Sequence, residues 1–214
     1  MDRTGKSTKY LINKTAEVYL EEIPVCKGDK VESYFLGLTQ SANFTRTINT
    51  EEIRGGVSGM VFGVIKEDGG MSASVTTAAH YEEVIGIQIG QSFQESEDIS
   101  IHSIVEKEDG TFTASETKKA GMFINLDSAT MPRNYKFQAR SEAIDPKTNV
   151  TVADVYWIFD RANPDGNLNE VFELGTNKSQ EINFTMLVPD GQTSYGKYVV
   201  IPRDVATCPD DTGE

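Results

Sequence analysis

Ala42-Asn43-Phe44-Thr45-Arg46-Thr47-Ile48-Asn49 and Met71-Ser72-Ala73-Ser74-Val75-Thr76 are the stretches that decide the fold class. Successive side chains of a strand point to opposite faces. Asn43, Thr45, Thr47 and Asn49 therefore share one face of the first stretch, and Phe44 and Ile48 share the other. In the second, Ser72, Ser74 and Thr76 alternate with Met71, Ala73 and Val75. Each strand has a small, uncharged polar face and a mainly apolar one. The solvent face of an isolated domain usually recruits Lys and Glu. Here those charges are gathered in Thr50-Glu51-Glu52-Ile53-Arg54-Gly55-Gly56, between the strands. Arg46 is the exception, expected to turn to the apolar side or to pair with a carboxylate.

In the rest of the chain, strand signals dominate. Val31 to Leu38, Ala42 to Thr50, Met60 to Lys66 and Met71 to Thr77 read as strands in the first half. Asp98 to Glu106, Thr111 to Thr117, Asn134 to Ile144, Val150 to Phe159, Ile182 to Val188 and Lys197 to Ile201 follow. Turn chemistry separates them at Asp68-Gly69-Gly70, Asp109-Gly110, Asp145-Pro146-Lys147, Pro164-Asp165-Gly166 and Pro189-Asp190-Gly191. Short strands joined by Asp-Gly turns predict a mainly β chain, an antiparallel sandwich or barrel. One segment departs from this pattern. Tyr81, Val84 and Ile85 fall at helical spacing, with Thr77 as N-cap, Glu82 and Glu83 toward solvent and Gly90 as the stop. The alternation of Ile87 and Ile89 suggests an earlier end. A single helix of roughly three turns, flanking the sheet, is expected.

The chain has 214 residues, enough for one good core, and a formal net charge of −13. Such acidity argues against passive nucleic-acid binding, which draws on Lys and Arg displacing counterions from phosphates. It leaves nucleic acid open as a passing cargo. No apolar run reaches the length of a membrane span, and no signal-peptide pattern opens the chain, so synthesis and folding in a cytoplasm are expected. Cys26 and Cys208 stand far apart and give no disulfide framework. Residues 1–203 read as a single β-rich domain, and 204–214 as a mobile acidic tail.

Chemical motifs are sparse. Gly5-Lys6-Ser7-Thr8 imitates the end of a phosphate-binding loop, but the glycine that must precede it has no position to occupy. Asn163-Pro164-Asp165-Gly166-Asn167 resembles the centre of a calcium loop. In that register, however, Arg161 and Phe172 fall where carboxylates belong, so a turn is expected. His80 and His102 are the only histidines and have no zinc-like spacing to a cysteine. Trp157, in Val155-Tyr156-Trp157-Ile158-Phe159, reads as part of a core strand. No catalytic, cofactor or metal residue emerges, and the chain is read as no enzyme.

The string Thr47-Ile48-Asn49-Thr50-Glu51-Glu52-Ile53-Arg54-Gly55-Gly56-Val57-Ser58-Gly59 is similar to one in the tail tube (major tail) proteins of long-tailed bacteriophages. There too a strand precedes a Glu-Ile-Arg-Gly-Gly loop, a second strand pair follows, and then a short helix ends in Gly, as Ala78 to Gly90 does in position. The resemblance covers roughly residues 33 to 90. It implies a virion protein of the tail-tube β type, without cofactor, assembled in the bacterial host cytoplasm into stacked rings of six copies. It also implies a continuous inner barrel through which DNA passes at genome ejection, with other tail proteins as partners. Asn43, Thr45, Thr47, Asn49, Ser72, Ser74 and Thr76 would face the lumen. Glu51, Glu52, Ile53, Arg54, Gly55 and Gly56 would form an inter-subunit loop. The sheet would complete itself only through sister copies. The competing reading is a monomeric β-sandwich binding or virion decoration module, using exposed aromatics such as Tyr10, Tyr19 and Tyr195.

Overall fold

A computed structural model of the protein describes residues 11–12, 16–26, 28, 30–55, 60–78, 82–126, 130–167 and 179–203. Strands β1 (Leu11–Ile12), β2 (Glu17–Glu22), β3 (Ser33–Gly55) and β4 (Met60–Thr77) precede a helix, α1 (Glu82–Ile89). After it come β5 (Gln94–Glu106), β6 (Phe112–Phe123), β7 (Tyr135–Ile144), β8 (Thr151–Pro164), β9 (Glu181–Met186) and β10 (Gly196–Pro202). The mainly antiparallel β reading, with one short helix, holds.

Six strands close on themselves in the order β7-β2-β3-β4-β9-β8, because β7 pairs with β2 on one edge and β8 on the other. β1 adds to β7 beyond β2, and β10 adds to β8 beyond β9. Alternation in the sequence dictates what lies inside. In β9 the buried set Ile182, Phe184 and Met186 interleaves with exposed Glu181, Asn183 and Thr185. In β7, Tyr135, Phe137 and Ala139 turn inward. With Val18, Leu20, Ala73, Val75 and Phe159 they fill the barrel. Phe137 meets Phe184 and Phe159 edge-on, at centroid distances of 5.3 and 5.9 Å. Burial of each such ring contributes roughly 1.5–3 kcal/mol.

At one end of the barrel α1 buries Val84 and Ile87 in the same core, and Glu82 and Glu83 are exposed as expected. The helix has 8 residues, just over two turns, and it runs through Ile87 to Ile89 instead of ending early. Thr77 is not its N-cap: it is a buried β4 residue whose hydroxyl donates to the Gln180 carbonyl at 3.3 Å. The predicted stop is correct, because Gly90 takes a φ of +80° and its N–H donates to the Gly86 carbonyl. Gln88 is buried, and its Nε2 donates to the carbonyls of Asn167 and Glu181, both at 3.0 Å.

An ion-pair cluster lies where β7, β8 and the residue after β10 meet. The Asp154 carboxylate accepts from Arg203 at 2.7 Å and from Arg140 at 3.0 Å; Arg140 also reaches Glu17 and Arg203 reaches Glu142. The Arg203 hydrogen bonds, with those of Arg140, pull the Asp154 carboxyl down to about 2.

Two sequence expectations are corrected here. Val31–Leu38 and Ala42–Thr50 are not separate strands, and neither are Met60–Lys66 and Met71–Thr77: they merge into β3 and β4, of 23 and 18 residues. Asp68-Gly69-Gly70 is a bulge inside β4, not a turn. Gly70 has a φ of +102°, its N–H donates to Asp68 Oδ1, and the register shifts between Thr47 and Ile48. Second, Glu51–Gly55 is not loop but the end of β3, paired with Met60–Ile65. Gly56 and the rest of the connection to Gly59 lie outside the described residues, as do Gly5–Thr8, Tyr10, His80, Cys208 and the predicted tail 204–214.

The other predicted turns stand at strand connections. Around Asp109-Gly110 the Lys107 N–H donates to the Thr111 carbonyl at 2.8 Å, closing the β5–β6 hairpin. That hairpin is a sheet of its own, with nearly every described residue exposed.

Candidate assembly surfaces

The outward rows of β3, β4 and β9 come into register across three strands. Directly paired residues of neighbouring strands share a face. Asn43 stands beside Ser74 and Asn183, Thr45 beside Ser72 and Thr185, and Ser41 beside Thr76 and Glu181. The Ser41 hydroxyl donates to Thr76 Oγ1 at 3.2 Å, and Ser74 Oγ donates to Glu181 Oε1 at 2.8 Å. Beyond the bulge, Thr47 and Asn49 close over Gly69, where an added Cβ would lie 3.0 and 3.1 Å from their side chains. All seven polar residues singled out in the sequence thus lie on one continuous face, exposed or half-buried and turned away from the core. In these three rows the one charged group is Glu181.

Sequence reasoning missed Ser41, Asn183 and Thr185 on this face. The signal was present in Ile182-Asn183-Phe184-Thr185-Met186, which alternates as the two quoted stretches do. Only the non-local pairing of β4 with β9 shows that the three rows abut.

The expectation that the sheet completes itself only through sister copies is not met for this part of it. β9 occupies the β4 edge over Met71–Thr76, and β2 covers β3 from Ser33 to Leu38. Past those limits the situation changes. From Ile48 to Gly55 and from Met60 to Asp68, β3 and β4 pair with each other and with no further strand among the described residues. This hairpin arm carries Glu51, Glu52, Ile53 and Arg54, all exposed, with Arg54 Nη2 2.5 Å from Glu52. Ile48, Ile53, Val61, Val64 and Ile65 are each about half exposed along it.

At the base of the arm, on the opposite face, lies an aromatic groove of about 400 Å³ between β4, β8 and β10. Trp157 stacks on Phe44 at 4.8 Å and meets Tyr198 edge-on at 4.9 Å. Trp157 is therefore a half-buried groove wall as well as a strand residue. Arg46 faces Asp68 at 3.5 Å there, satisfying both halves of its expectation, since its paired neighbour is Met71. The Gly70 N–H, the Tyr195 hydroxyl and Arg46 together hold the Asp68 carboxyl below the usual range.

The remaining sequence candidates scatter. His102 is exposed on β5, opposite Glu116, and Cys26 is exposed. Asp165 accepts hydrogen bonds from the backbone and side chain of Asn167 at 3.1 and 3.0 Å, making the calcium-like segment a turn. Among the described residues no three His, Cys, Asp or Glu are gathered to hold a metal, and no helix is long and apolar enough to cross a membrane.

A closed antiparallel barrel with an apolar interior and two protruding hairpins places the described residues in the mainly β class. The chain belongs to the YomU/Tube protein family, whose sequence model matches residues 93–201, from just before β5 into β10. It is also similar to the tail tube protein of Bacillus phage SPR, 21% identical over 247 aligned positions that cover 93% of this chain and 92% of that protein. The role that goes with these matches is structural and non-enzymatic, that of a phage tail tube protein in the virion tail.

Proposed function

We propose that the chain polymerises, in the bacterial host cytoplasm, into stacked rings of six copies that form the tail tube, and that viral DNA passes through the tube at genome ejection. In this reading residues 1–203 act as one tube-forming domain. The lumen is lined by Asn43, Thr45, Thr47, Asn49, Ser72, Ser74 and Thr76, joined by Asn183 and Thr185. The segment from Glu51 to Gly56 reaches a neighbouring copy, and other tail proteins cap the assembly.

The observation that carries this reading is the three-strand polar face, uncharged but for Glu181, in a chain of net charge −13. Duplex DNA presents a phosphate charge about every 1.7 Å along its axis. A lysine-lined wall would bind that cargo, and a carboxylate wall would repel it. Hydroxyls and amides do neither. The outer edges of the β3–β4 arm, unpaired among the described residues, offer what ring closure needs, since an exposed strand edge is a ready template for another chain and head-to-tail contacts close into rings when the rotation allows.

Negative-stain microscopy of the purified chain at rising concentration tests this. Rings or tubes with a central hole are expected. A chain that stays monomeric at every concentration, and binds glycans saturably, would establish the decoration-module alternative instead.

A further inference from the structure

Two surfaces of the chain are left over by the lumen and the β3–β4 arm, and they complement each other. The first is the far end of the β5–β6 hairpin. β5 has 13 residues, so the hairpin extends about 40 Å. Ile104 pairs with Ala114 and Glu106 with Phe112, which puts Ile104, Glu106, Phe112 and Ala114 on one face at its end. Ile104 and Phe112 are 74% and 69% exposed, among the most exposed large apolar side chains described. Glu106 sets a carboxylate beside Phe112 on that face, and the turn that follows carries Lys107, Glu108 and Asp109. The Thr111 side-chain and backbone donors lower the Asp109 pKa and keep it charged.

The second surface is the aromatic groove. Its apolar walls are Met71, Trp157, Phe159 and Tyr198, and its charged residues are Arg46, Asp68 and Lys197. In a chain of net charge −13 this lining carries a net positive charge. An apolar knob with an acidic rim on one part of the molecule thus matches an apolar slot with a basic excess on another. Among the described residues, β5 and β6 pair with each other and neither lines the groove of its own chain.

We infer that the end of the β5–β6 hairpin of one copy seats in the Trp157–Tyr198 groove of a neighbouring copy, with Phe112 as the anchor and Lys197 facing the acidic rim. This rests on the proposed self-assembly. It is a heterologous contact, of the kind that generates rings or filaments instead of closed dimers, and an aromatic residue entering a desolvated pocket is the usual anchor of an interface.

Trp157 is the chain's one tryptophan, so its fluorescence reports on the groove. In the wild-type full chain its emission should shift to shorter wavelength as assembly proceeds. Phe112→Asp should remove that shift and raise the concentration needed for assembly by roughly tenfold, with circular dichroism unchanged. Lys197→Glu should weaken assembly, and Glu108→Lys combined with it should restore assembly. With Cys26 and Cys208 replaced by serine, mixing a Phe112→Cys chain with a Tyr198→Cys chain under mild oxidation should give a cross-linked pair. Tubes that form normally from Phe112→Asp, with no cross-link in the mixture, would overturn this contact and leave the tube reading standing. A cross-link formed within single chains carrying both cysteines at high dilution, or a Trp157 shift produced by free glycans, would give the groove a different occupant and overturn it as well. A wild-type chain that never self-associates would remove both proposals together.

Discussion

The barrel and the two hairpin arms are built from the same residue types, yet they hold together in different ways. In β9, and in β7 from Tyr135 to Ala139, every second residue is buried, and the buried set is apolar. In β6 and the outer part of β3 hardly any residue is buried on either face. Strand pairing alone leaves a hairpin marginal, and stability comes with a third strand or a packed face. The barrel meets that condition within one chain. The arms do not meet it among the described residues, so the fold's stability rests in the barrel, and the assembly proposed above would draw on the arms.

The largest expected effect tests that division directly. Phe137→Ala, inside the barrel, should cost about 3–5 kcal/mol through lost burial and a residual cavity. Ile104→Ala, on the β5–β6 arm, should change the monomer's stability by less than about 0.5 kcal/mol. Denaturant unfolding of both variants at a concentration below assembly measures the contrast. Equal losses would show that the arm packs against its own chain, and the comparison would break.

The division was only partly legible in the sequence. Alternation in residues 42–49 and 71–76 gave the strands and their polar faces correctly. It missed that β3 and β4 run on unbroken, because Asp68-Gly69-Gly70 has turn chemistry and the same positive φ at glycine serves a bulge as well as a turn. Glu51–Gly55 reads as loop because charge and glycine look like a surface connection. A strand with two solvated faces has the same composition. Barrel closure through β7–β8 and the placement of β9 beside β4 join residues far apart in the chain, and no local pattern encodes them. The family resemblance on residues 33–90 and the family match on residues 93–201 fall on different halves of the chain, so neither depends on the other.

A smaller effect is expected at the end of α1, whose Val84 and Ile87 join the barrel core. Gly90→Ala would place a Cβ 2.3 Å from the Met131 carbonyl oxygen, and it would also force a left-handed backbone on alanine. A loss of about 2 kcal/mol is expected from strain of this kind, read as a lower midpoint in the same denaturant series. An unchanged midpoint would mean that α1 contributes little to the closed core, despite the burial of Val84 and Ile87.

The ion-pair cluster comes next. The folded Asp154 carboxyl is held at about 2, below its ordinary value of 3.8. Its contribution is therefore complete above about pH 4 and is lost as the pH falls toward 2. Asp154→Asn should lower stability at neutral pH by about 1 kcal/mol, since the partners are partly solvated. The gap between variant and wild type should narrow as the pH falls through that window. Thermal unfolding at pH 7, 4 and 2 checks this, and a gap that stays constant would assign the stabilisation to packing instead of charge.

The smallest effect on folding should be paired with a specific effect on function. Asn43→Lys, Thr45→Lys and Ser74→Lys lie on outward rows of the barrel wall, so each should leave monomer stability within about 0.5 kcal/mol. If that wall lines a channel, ring symmetry repeats each added cation around it, and a circle of lysines would hold passing phosphates. DNA delivery should slow while tube assembly stays normal. The three sites should not be equal. Ser74 sits 2.8 Å from the Glu181 carboxylate, which can neutralise a lysine placed there. Asn43 stands in the same row as Ser74 but one strand further from β9, which carries Glu181, and the row of Thr45 holds only hydroxyls. The expected order of infectivity loss is therefore Thr45→Lys and Asn43→Lys ahead of Ser74→Lys. Wild-type infectivity from all three would remove this face from the lumen, and it would do so without disturbing the barrel–arm division, which rests on burial alone.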